Sequence, residues 1–328
     1  MLYKRIEGNS VLCQLCAHNC RIAPGNYGVC NLRQNIDGEL YTYTYGKIIA
    51  SHVDPVEKKP LYHFLPGSNA FSIATPGCNF KCDFCQNWQI SQEKCAQDMP
   101  PGIIPPNDIV RRALESGCRS IAYTYTEPTI FFEYVYDTAR LARSRGLYNL
   151  IVTNGYMTRE AIDCISPYLD AANIDLKSLR NDFYKNKCKA RLEPVLDSIR
   201  YMKKSGLWIE VTTLIIPGLN DSKEELKAIA GFIAEIGIEI PWHISRFHPD
   251  YSCIDNSPTP IKTLITANKI GKEAGLRYIY PGNIAEEVST ACYECGKELI
   301  KRNSPEISMA ALNGNRCAQC NTILDGVF

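Results

Sequence analysis

The chain has 328 residues, 45% of them hydrophobic and 22% charged, and 36 basic against 35 acidic side chains leave a formal charge of +1. That is enough apolar material for one large domain with smaller attachments. A nearly neutral chain has no global field for holding a phosphate backbone, so a nucleic-acid partner is not favoured, and no run of about 18 uncharged apolar residues offers a membrane span. The opening Met1-Leu2-Tyr3-Lys4-Arg5-Ile6-Glu7 lacks the apolar core of a signal peptide, and a cytoplasmic location is expected.

In a cytosolic protein the 16 cysteines read as metal ligands where they pair as CxxC, not as disulfides. The first group, Cys13, Cys16, Cys20 and Cys30, carries Pro24, Gly25 and Gly28 between its members, which suits a tight turn wrapped on a metal. Four thiolates there could bind Zn²⁺ or an iron-sulfur cluster, with free thiols in a small β segment as the plain alternative. His18 could be a ligand as well, with a solvent-facing turn histidine as the plainer reading. From Leu40 to Ala50 the alternation Tyr41-Thr42-Tyr43-Thr44-Tyr45 predicts β structure. The stretch from Asp54 to Phe64, with two prolines and a charge run, predicts an extended connection packed over something.

The apolar run Phe71 to Thr75 predicts a buried strand, and Cys78-Asn79-Phe80-Lys81-Cys82-Asp83-Phe84-Cys85 follows it as a loop. Four thiolates complete an ordinary [4Fe-4S] cluster, so three on one loop leave an iron open to something other than protein. A structural zinc would need a fourth ligand, and the neighbouring sequence supplies none.

Beyond the loop, helices and strands alternate. Helices are predicted over Asn107 to Ser116 with Asn107 as N-cap, Thr129 to Arg145, Thr158 to Tyr168, Glu193 to Lys204, Ser222 to Glu235 and Thr259 to Ala274. Strands are predicted over Arg119 to Thr124, Leu147 to Thr153, Ala171 to Leu176, Leu207 to Ile216, Ile238 to Ser245 and Arg277 to Tyr280. Repeated βα units build a parallel sheet buried on both faces, here an α/β fold with an open, partial (βα)6 TIM-type barrel. Chemistry in such barrels lies on the loops at the C-terminal ends of the strands. Five further cysteines, Cys95, Cys118, Cys164, Cys188 and Cys253, are scattered and read as ordinary thiols. His243 reads as a packed core histidine.

At the end of the chain Cys292 and Cys295 pair with Cys317 and Cys320 as two CxxC knuckles about 20 residues apart, a zinc-ribbon-like spacing. A [4Fe-4S] or mononuclear iron site on the same thiolates is the alternative. So short a tail needs a metal to fold. The boundaries expected are 1–66 for the Cys-rich N-terminal segment, 67–284 for the barrel and 285–328 for the ribbon.

CxxxCxxC with Phe84 before the third cysteine resembles the radical S-adenosylmethionine (radical SAM) enzymes. The resemblance implies that Cys78, Cys82 and Cys85 hold a [4Fe-4S] cluster whose open iron chelates SAM. It further implies reductive cleavage of SAM to a 5′-deoxyadenosyl radical, hydrogen abstraction from a substrate, and a flavodoxin- or ferredoxin-like reductant. Tyr125-Thr126-Glu127-Pro128 resembles that family's glycine-glycine-glutamate-proline motif with both glycines replaced, and Tyr125 and Thr126 enter positive φ less easily. Glu127 would accept from the SAM ammonium. By similarity to activating enzymes of glycyl-radical enzymes, Asn154, Lys177 and His248 fall where SAM is touched or its pocket lined, while Val152 and Thr212 stand where an acid and an arginine are expected. Phe84, with Phe80 and Trp88, would shield the cluster and cofactor. The Asp54 to Gly67 stretch, Cys85-Gln86-Asn87-Trp88-Gln89-Ile90-Ser91-Gln92, the N-terminal cysteines and Trp242 to Pro249 resemble the radical SAM proteins of the AmmeMemoRadiSam system. A protein or peptide substrate is expected, at a lateral mouth framed by the two metal-held ends. A small-metabolite enzyme and a non-catalytic metal-cluster scaffold are the alternatives.

Overall fold

The computed structural model describes residues 1–92, 94–285, 287–303 and 306–328. Short antiparallel pieces come first: β1 (Tyr3–Ile6), β2 (Ser10–Cys13) and β3 (Arg21–Ile22) form one sheet, and β4 (Arg33–Ile36) and β5 (Glu39–Thr42) a hairpin. The β structure expected as far as Ala50 stops at Thr42. Beyond it the Tyr43 hydroxyl turns back to Gln34 Oε1 (2.5 Å) and the Tyr45 hydroxyl reaches Asp137 (2.7 Å), so the tyrosines serve two different neighbours and not one pleated face.

The main sheet begins at β6 (Ala50–Pro55), inside the stretch 1–66 that the sequence sets apart, and β6 runs antiparallel to β7 (Asn69–Ala74). Parallel to β7 follow β8 (Ser120–Tyr123), β9 (Tyr148–Thr153), β10 (Ala171–Asp175), β11 (Trp208–Ile215), β12 (Trp242–Arg246) and β13 (Ile279–Gly282), each beside its predecessor. Among the described residues no pairing joins β13 to β6, so the barrel is open, with one antiparallel edge. All four residues of β8 are buried, as a strand covered on both faces requires.

The helices are α1 (Trp88–Ser91), α2 (Pro106–Glu115), α3 (Phe132–Ser144), α4 (Arg159–Ile165), α5 (Asn181–Phe183), α6 (Glu193–Lys204), α7 (Lys223–Ile236) and α8 (Ile261–Glu273). Asn107 is not the N-cap of α2. Pro106 starts that helix and Pro105 precedes it with no side-chain cap, because a proline's fixed φ suits the first helical position and its missing N–H goes unneeded there. The helix expected from Thr129 divides into a 3-10 turn, Pro128–Phe131, and α3. Strand β12 starts four residues later than expected, after a turn in which the Ile240 amide donates to Gly237 O (3.1 Å). Among the described residues no helix is long and apolar enough to cross a membrane.

The chain's two ends pack on opposite ends of the barrel. The N-terminal segment lies over the C-terminal ends of the strands, where Ala17 N donates to Tyr156 O (2.9 Å) and Arg33 pairs bidentately with Glu133 (2.6 and 2.9 Å). The tail adds β14 (Val288–Ala291), β15 (Glu298–Asn303), β16 (Glu306–Ser308), β17 (Leu312–Asn313) and β18 (Arg316–Cys317). It sits at the N-terminal ends of the strands, with Leu65 N donating to Val327 O (2.7 Å) and Val327 N to His63 O (2.8 Å). The expectation that both metal-held ends frame the mouth is therefore corrected: the tail closes the far end.

Glu210 organises that closure. Its buried carboxylate accepts from Tyr62 N (3.0 Å), His63 N (2.8 Å) and Trp208 Nε1 (3.0 Å), and His243 Nε2 lies 2.6 Å away. His243 is thus a core histidine with a carboxylate partner. His63, fully buried between Tyr280 and the Asp325 carbonyl, is pushed by burial from 6.5 down to about 4. It is neutral in the fold and protonates first in the unfolded chain, so its stabilisation is complete above pH 6.5 and disappears as pH falls through about 4. We expect up to about 3 kcal/mol of stability to be lost across that window. Urea titrations of the parent and of His63→Gln should show the variant lacking this component of the pH slope.

Candidate active site and metal centres

Strand β7 delivers the three-cysteine loop to the barrel mouth. At Gly77 the chain turns through φ +97°, and a Cβ there would lie 2.2 Å from Leu32 Cδ1 of the N-terminal segment; only glycine meets both conditions. The loop is pinned below by a π-helical turn, Tyr184–Cys188, through Lys81 N to Cys188 O (3.0 Å) and Asp83 N to Lys187 O (3.0 Å). Phe80 packs edge-on against Tyr156 and Tyr184, and Phe84 against Phe183. Trp88 instead stacks on Tyr251 and donates to Asp250 (3.1 Å), joining the loop after β12.

Burial and the nearby Glu127 charge push the Cys78 thiol well up, the neighbouring Cys188 and burial do so for Cys82, and burial raises Cys85. Such thiols keep their protons until a cation claims them. Among the described residues the only group of three or more ligand atoms lying within 4.8 Å of one another is Cys292, Cys295, Cys317 and Cys320, so the three loop sulfurs do not converge on a single ion. Thiolates at separate corners of a cubane suit that spacing. In the tail the Cys292–Cys320 and Cys295–Cys317 sulfurs are 3.6 and 3.7 Å apart. A tetrahedral ion with bonds of about 2.3 Å has edges of about 3.8 Å, so that site fits one Zn²⁺.

The expected partners of the loop fare differently. Glu127 is buried, and Oε1 accepts from Thr129 N (3.0 Å), Thr129 Oγ1 (2.5 Å) and Thr153 Oγ1 (2.9 Å), while Oε2 accepts from Asn154 N (2.8 Å). A carboxylate has about four lone-pair directions, two per oxygen, so Oε2 keeps one open. Asn154 Nδ2 donates to Asn79 Oδ1 (2.7 Å) and lies 3.8 Å from Cys78 Sγ. Lys177 is held by Asp175 (2.9 Å) over the Phe84 ring. Burial opposes its charge, but Asp175 and the thiols of Cys82 and Cys188 raise its pKa well above the usual lysine value. His248 is exposed and has no hydrogen-bond or ion-pair partner among the described residues.

Two contacts escape the sequence. Tyr125 does adopt positive φ, +61°, in place of a glycine. Its hydroxyl donates to Asp54 Oδ2, which also receives Lys59 Nζ (2.8 Å), and that ammonium lies 4.5 Å from the ring centroid. Burial works against the Asp54 charge, yet Lys59 and Tyr125 hold its carboxyl well below the usual range. The stretch from Asp54 to Lys59 is therefore the anchor of the Tyr125 loop. Cys188, read as an ordinary thiol, stands beside Cys82 and is fully buried.

A family model described as the Radical SAM superfamily matches residues 72–233. The chain is 44% identical over 338 residues to an uncharacterized protein of Methanocaldococcus jannaschii, covering 100% of this chain and 99% of that protein. It is 23% identical over 165 residues to the pyruvate formate-lyase-activating enzyme of Clostridium pasteurianum, 49% of this chain and 67% of the relative. The chain belongs to the radical SAM superfamily. As a radical SAM enzyme it uses a [4Fe-4S] cluster and SAM. The fold agrees: a radical SAM methyltransferase from Sphaerobacter thermophilus superposes with a TM-score of 0.53 at 16% identity, over 66% of this chain and 67% of that one. SuiB of Streptococcus suis bound to S-adenosylmethionine does so with a TM-score of 0.53 at 14% identity, over 70% and 53%.

Replacing Glu127 by alanine orphans two buried backbone amides and two threonine hydroxyls. Each unsatisfied group costs about 1–3 kcal/mol, less what water regains. Glu127→Ala should therefore lower the denaturation midpoint of the cofactor-free protein, whereas an exposed acid at a helix start would leave it unmoved.

Proposed function

We propose that Cys78, Cys82 and Cys85 carry the catalytic [4Fe-4S] cluster and that the enzyme abstracts hydrogen from a protein or peptide. The observation that carries the reading is the three-thiol loop itself, set at the barrel mouth beside Glu127, Asn154 and Lys177 with its sulfurs too dispersed for one ion. When bound, the cluster would supply the one-electron reduction that cleaves the SAM sulfonium to methionine and a 5′-deoxyadenosyl radical. Glu127 Oε2, with one lone pair free, would accept from the SAM ammonium, and Asn154 fixes the loop at Cys78. Lys177 supplies positive charge beneath Cys82, and Phe84 with Phe80 keeps water from the cluster. His248, exposed at the end of β12, faces incoming substrate. A flavodoxin- or ferredoxin-like protein supplies the electron.

A protein substrate is supported by the open barrel and by the Clostridium pasteurianum relative, which is named for activating another enzyme, pyruvate formate-lyase. The zinc-ribbon-like tail, at the far end, plays no part in admitting it.

Cys82→Ala should lose the cluster iron and SAM cleavage together, because two protein ligands do not retain a cubane with an open iron. Cys188→Ala should keep both. Loss of the cluster from Cys188→Ala would make this a four-cysteine site with no iron left for SAM and would sink the reading.

Substrate class is read from isotope transfer. The reduced, SAM-loaded enzyme is incubated separately with deuterated proteome and with deuterated small-molecule extract, and 5′-deoxyadenosine is analysed by mass spectrometry. Deuterium is expected from the proteome; label arriving only from the small-molecule pool would replace the protein substrate with a metabolite.

A further inference from the structure

The N-terminal cysteines meet in one cavity. Cys13 closes β2, Cys16 forms a backbone β-bridge with Met157, Cys20 precedes β3 and Cys30 lies in a turn, yet all four line a single pocket walled by Asn79 and Arg33. No three of their sulfurs lie within 4.8 Å of one another, unlike those of the tail. A lone Zn²⁺ would draw every pair to about 3.8 Å. Four thiolates around one cavity but held apart are the donor set of a group with a body of its own, as a cubane has.

Asn79 adds an independent sign. It is 2% exposed, its Oδ1 accepts from Asn154, its carbonyl lies 2.8 Å from His18 Nε2, and its Nδ2 has no partner. A buried amide donor left unpaired is costly, and cluster sulfurs are acceptors of N–H hydrogen bonds. The cradle is also shaped for sulfur. Val29 N donates to Cys20 Sγ (3.5 Å), and a Cβ on Gly28 would come within 3.3 Å of Ile22 Cδ1 and 3.6 Å of Cys20 Sγ. Arg33 is buried in the wall, its guanidinium held there by the Glu133 carboxylate (2.6 and 2.9 Å).

We propose that Cys13, Cys16, Cys20 and Cys30 hold a second [4Fe-4S] cluster that adjoins the Cys78 loop at Asn79 and relays electrons to the catalytic cluster. The relay moves one electron at a time. A ferredoxin- or flavodoxin-like donor is oxidised by one electron, and the second cluster is reduced and then reoxidised as the electron passes to the loop's cluster. No bond forms or breaks. The relay rests on the loop assignment above; the site does not.

The decisive protein is the Cys78→Ala/Cys82→Ala/Cys85→Ala triple variant of the full chain, reconstituted anaerobically with iron and sulfide. It should retain about four iron and four sulfide per chain, against about eight of each in the parent, with about one zinc in both, and give a cubane signal by Mössbauer spectroscopy. An iron-free triple variant with about two zinc would overturn the site. Should that variant fail to fold, Cys16→Ser/Cys20→Ser in the parent background reads the same quantity: about four of eight iron lost supports the site, and no loss overturns it. For the relay, this double variant should form 5′-deoxyadenosine at least about tenfold more slowly with reduced flavodoxin as donor and at the parent rate with dithionite. Equal rates with both donors would overturn the relay and leave the site standing.

Discussion

Glu127 is a desolvated carboxylate that gathers donors from the loops after β8 and β9, and the order of the barrel mouth follows from it. By holding the Asn154 amide it aims the Asn154 side chain at Asn79, and Asn79 precedes the Phe80 ring that locks into Tyr156 and Tyr184. Every donor in this chain would be orphaned if one loop shifted, so the network is rigid out of proportion to the net strength of its bonds. The Cys78 end of the loop is thus positioned by the protein's own contacts.

The same mouth shows how a bulky residue is held in a left-handed conformation. An L-residue in the left-handed region costs about 1–2 kcal/mol relative to glycine. Tyr125 accepts that cost because its hydroxyl makes a charge-assisted bond to Asp54, the kind that contributes about 1.5–3 kcal/mol. Asp54 is available because Lys59 folds back on it from the turn after β6. Strand β6 and the charged stretch behind it are therefore part of the site's support, which explains an antiparallel edge on an otherwise parallel barrel.

The alternation of βα units was legible because Leu150-Ile151-Val152 and Leu214-Ile215-Ile216 carry period-free apolar runs of the kind a doubly covered sheet uses, set between helical patterns. Glu193–Lys204 was legible to the residue, since a proline near its start and Ser205-Gly206 at its end punctuate it. Strand β6 was not: its alternation is masked by Pro55 and by polar residues exposed at an edge. Of the site, the cysteine spacings were plain, while Asn79, Cys188 and the clamp of Asp54 on Tyr125 were invisible because their meaning comes from partners up to 107 positions away, as in the amide of Lys81 and the carbonyl of Cys188. Glu127 was visible as a residue but not as a hub, since its four donors become neighbours only when β8 and β9 pair.

The separation of the two appendages follows from how each is held. The tail converges its sulfurs to the spacing of one ion and buries Leu299, Ile300 and Leu324 against Tyr278 and Tyr280, so its metal organises a small apolar layer. Beside it Val327 of the tail packs on a separate cluster that holds Val56, Phe64 and Leu65 under the strand starts, where a barrel gains stability and performs no chemistry. The N-terminal segment does the reverse. It places dispersed thiols and the buried Arg33 of the Arg33–Glu133 pair around one cavity with Asn79, whose unpaired amide adjoins Cys78, at the end of the barrel where chemistry occurs. Zinc is redox-inert and its natural place is the tail, whereas a redox-active group has a function only where electrons are consumed. Two cysteine sets of equal size on one chain thus call for different occupants, and sulfur spacing, not cysteine count, tells them apart.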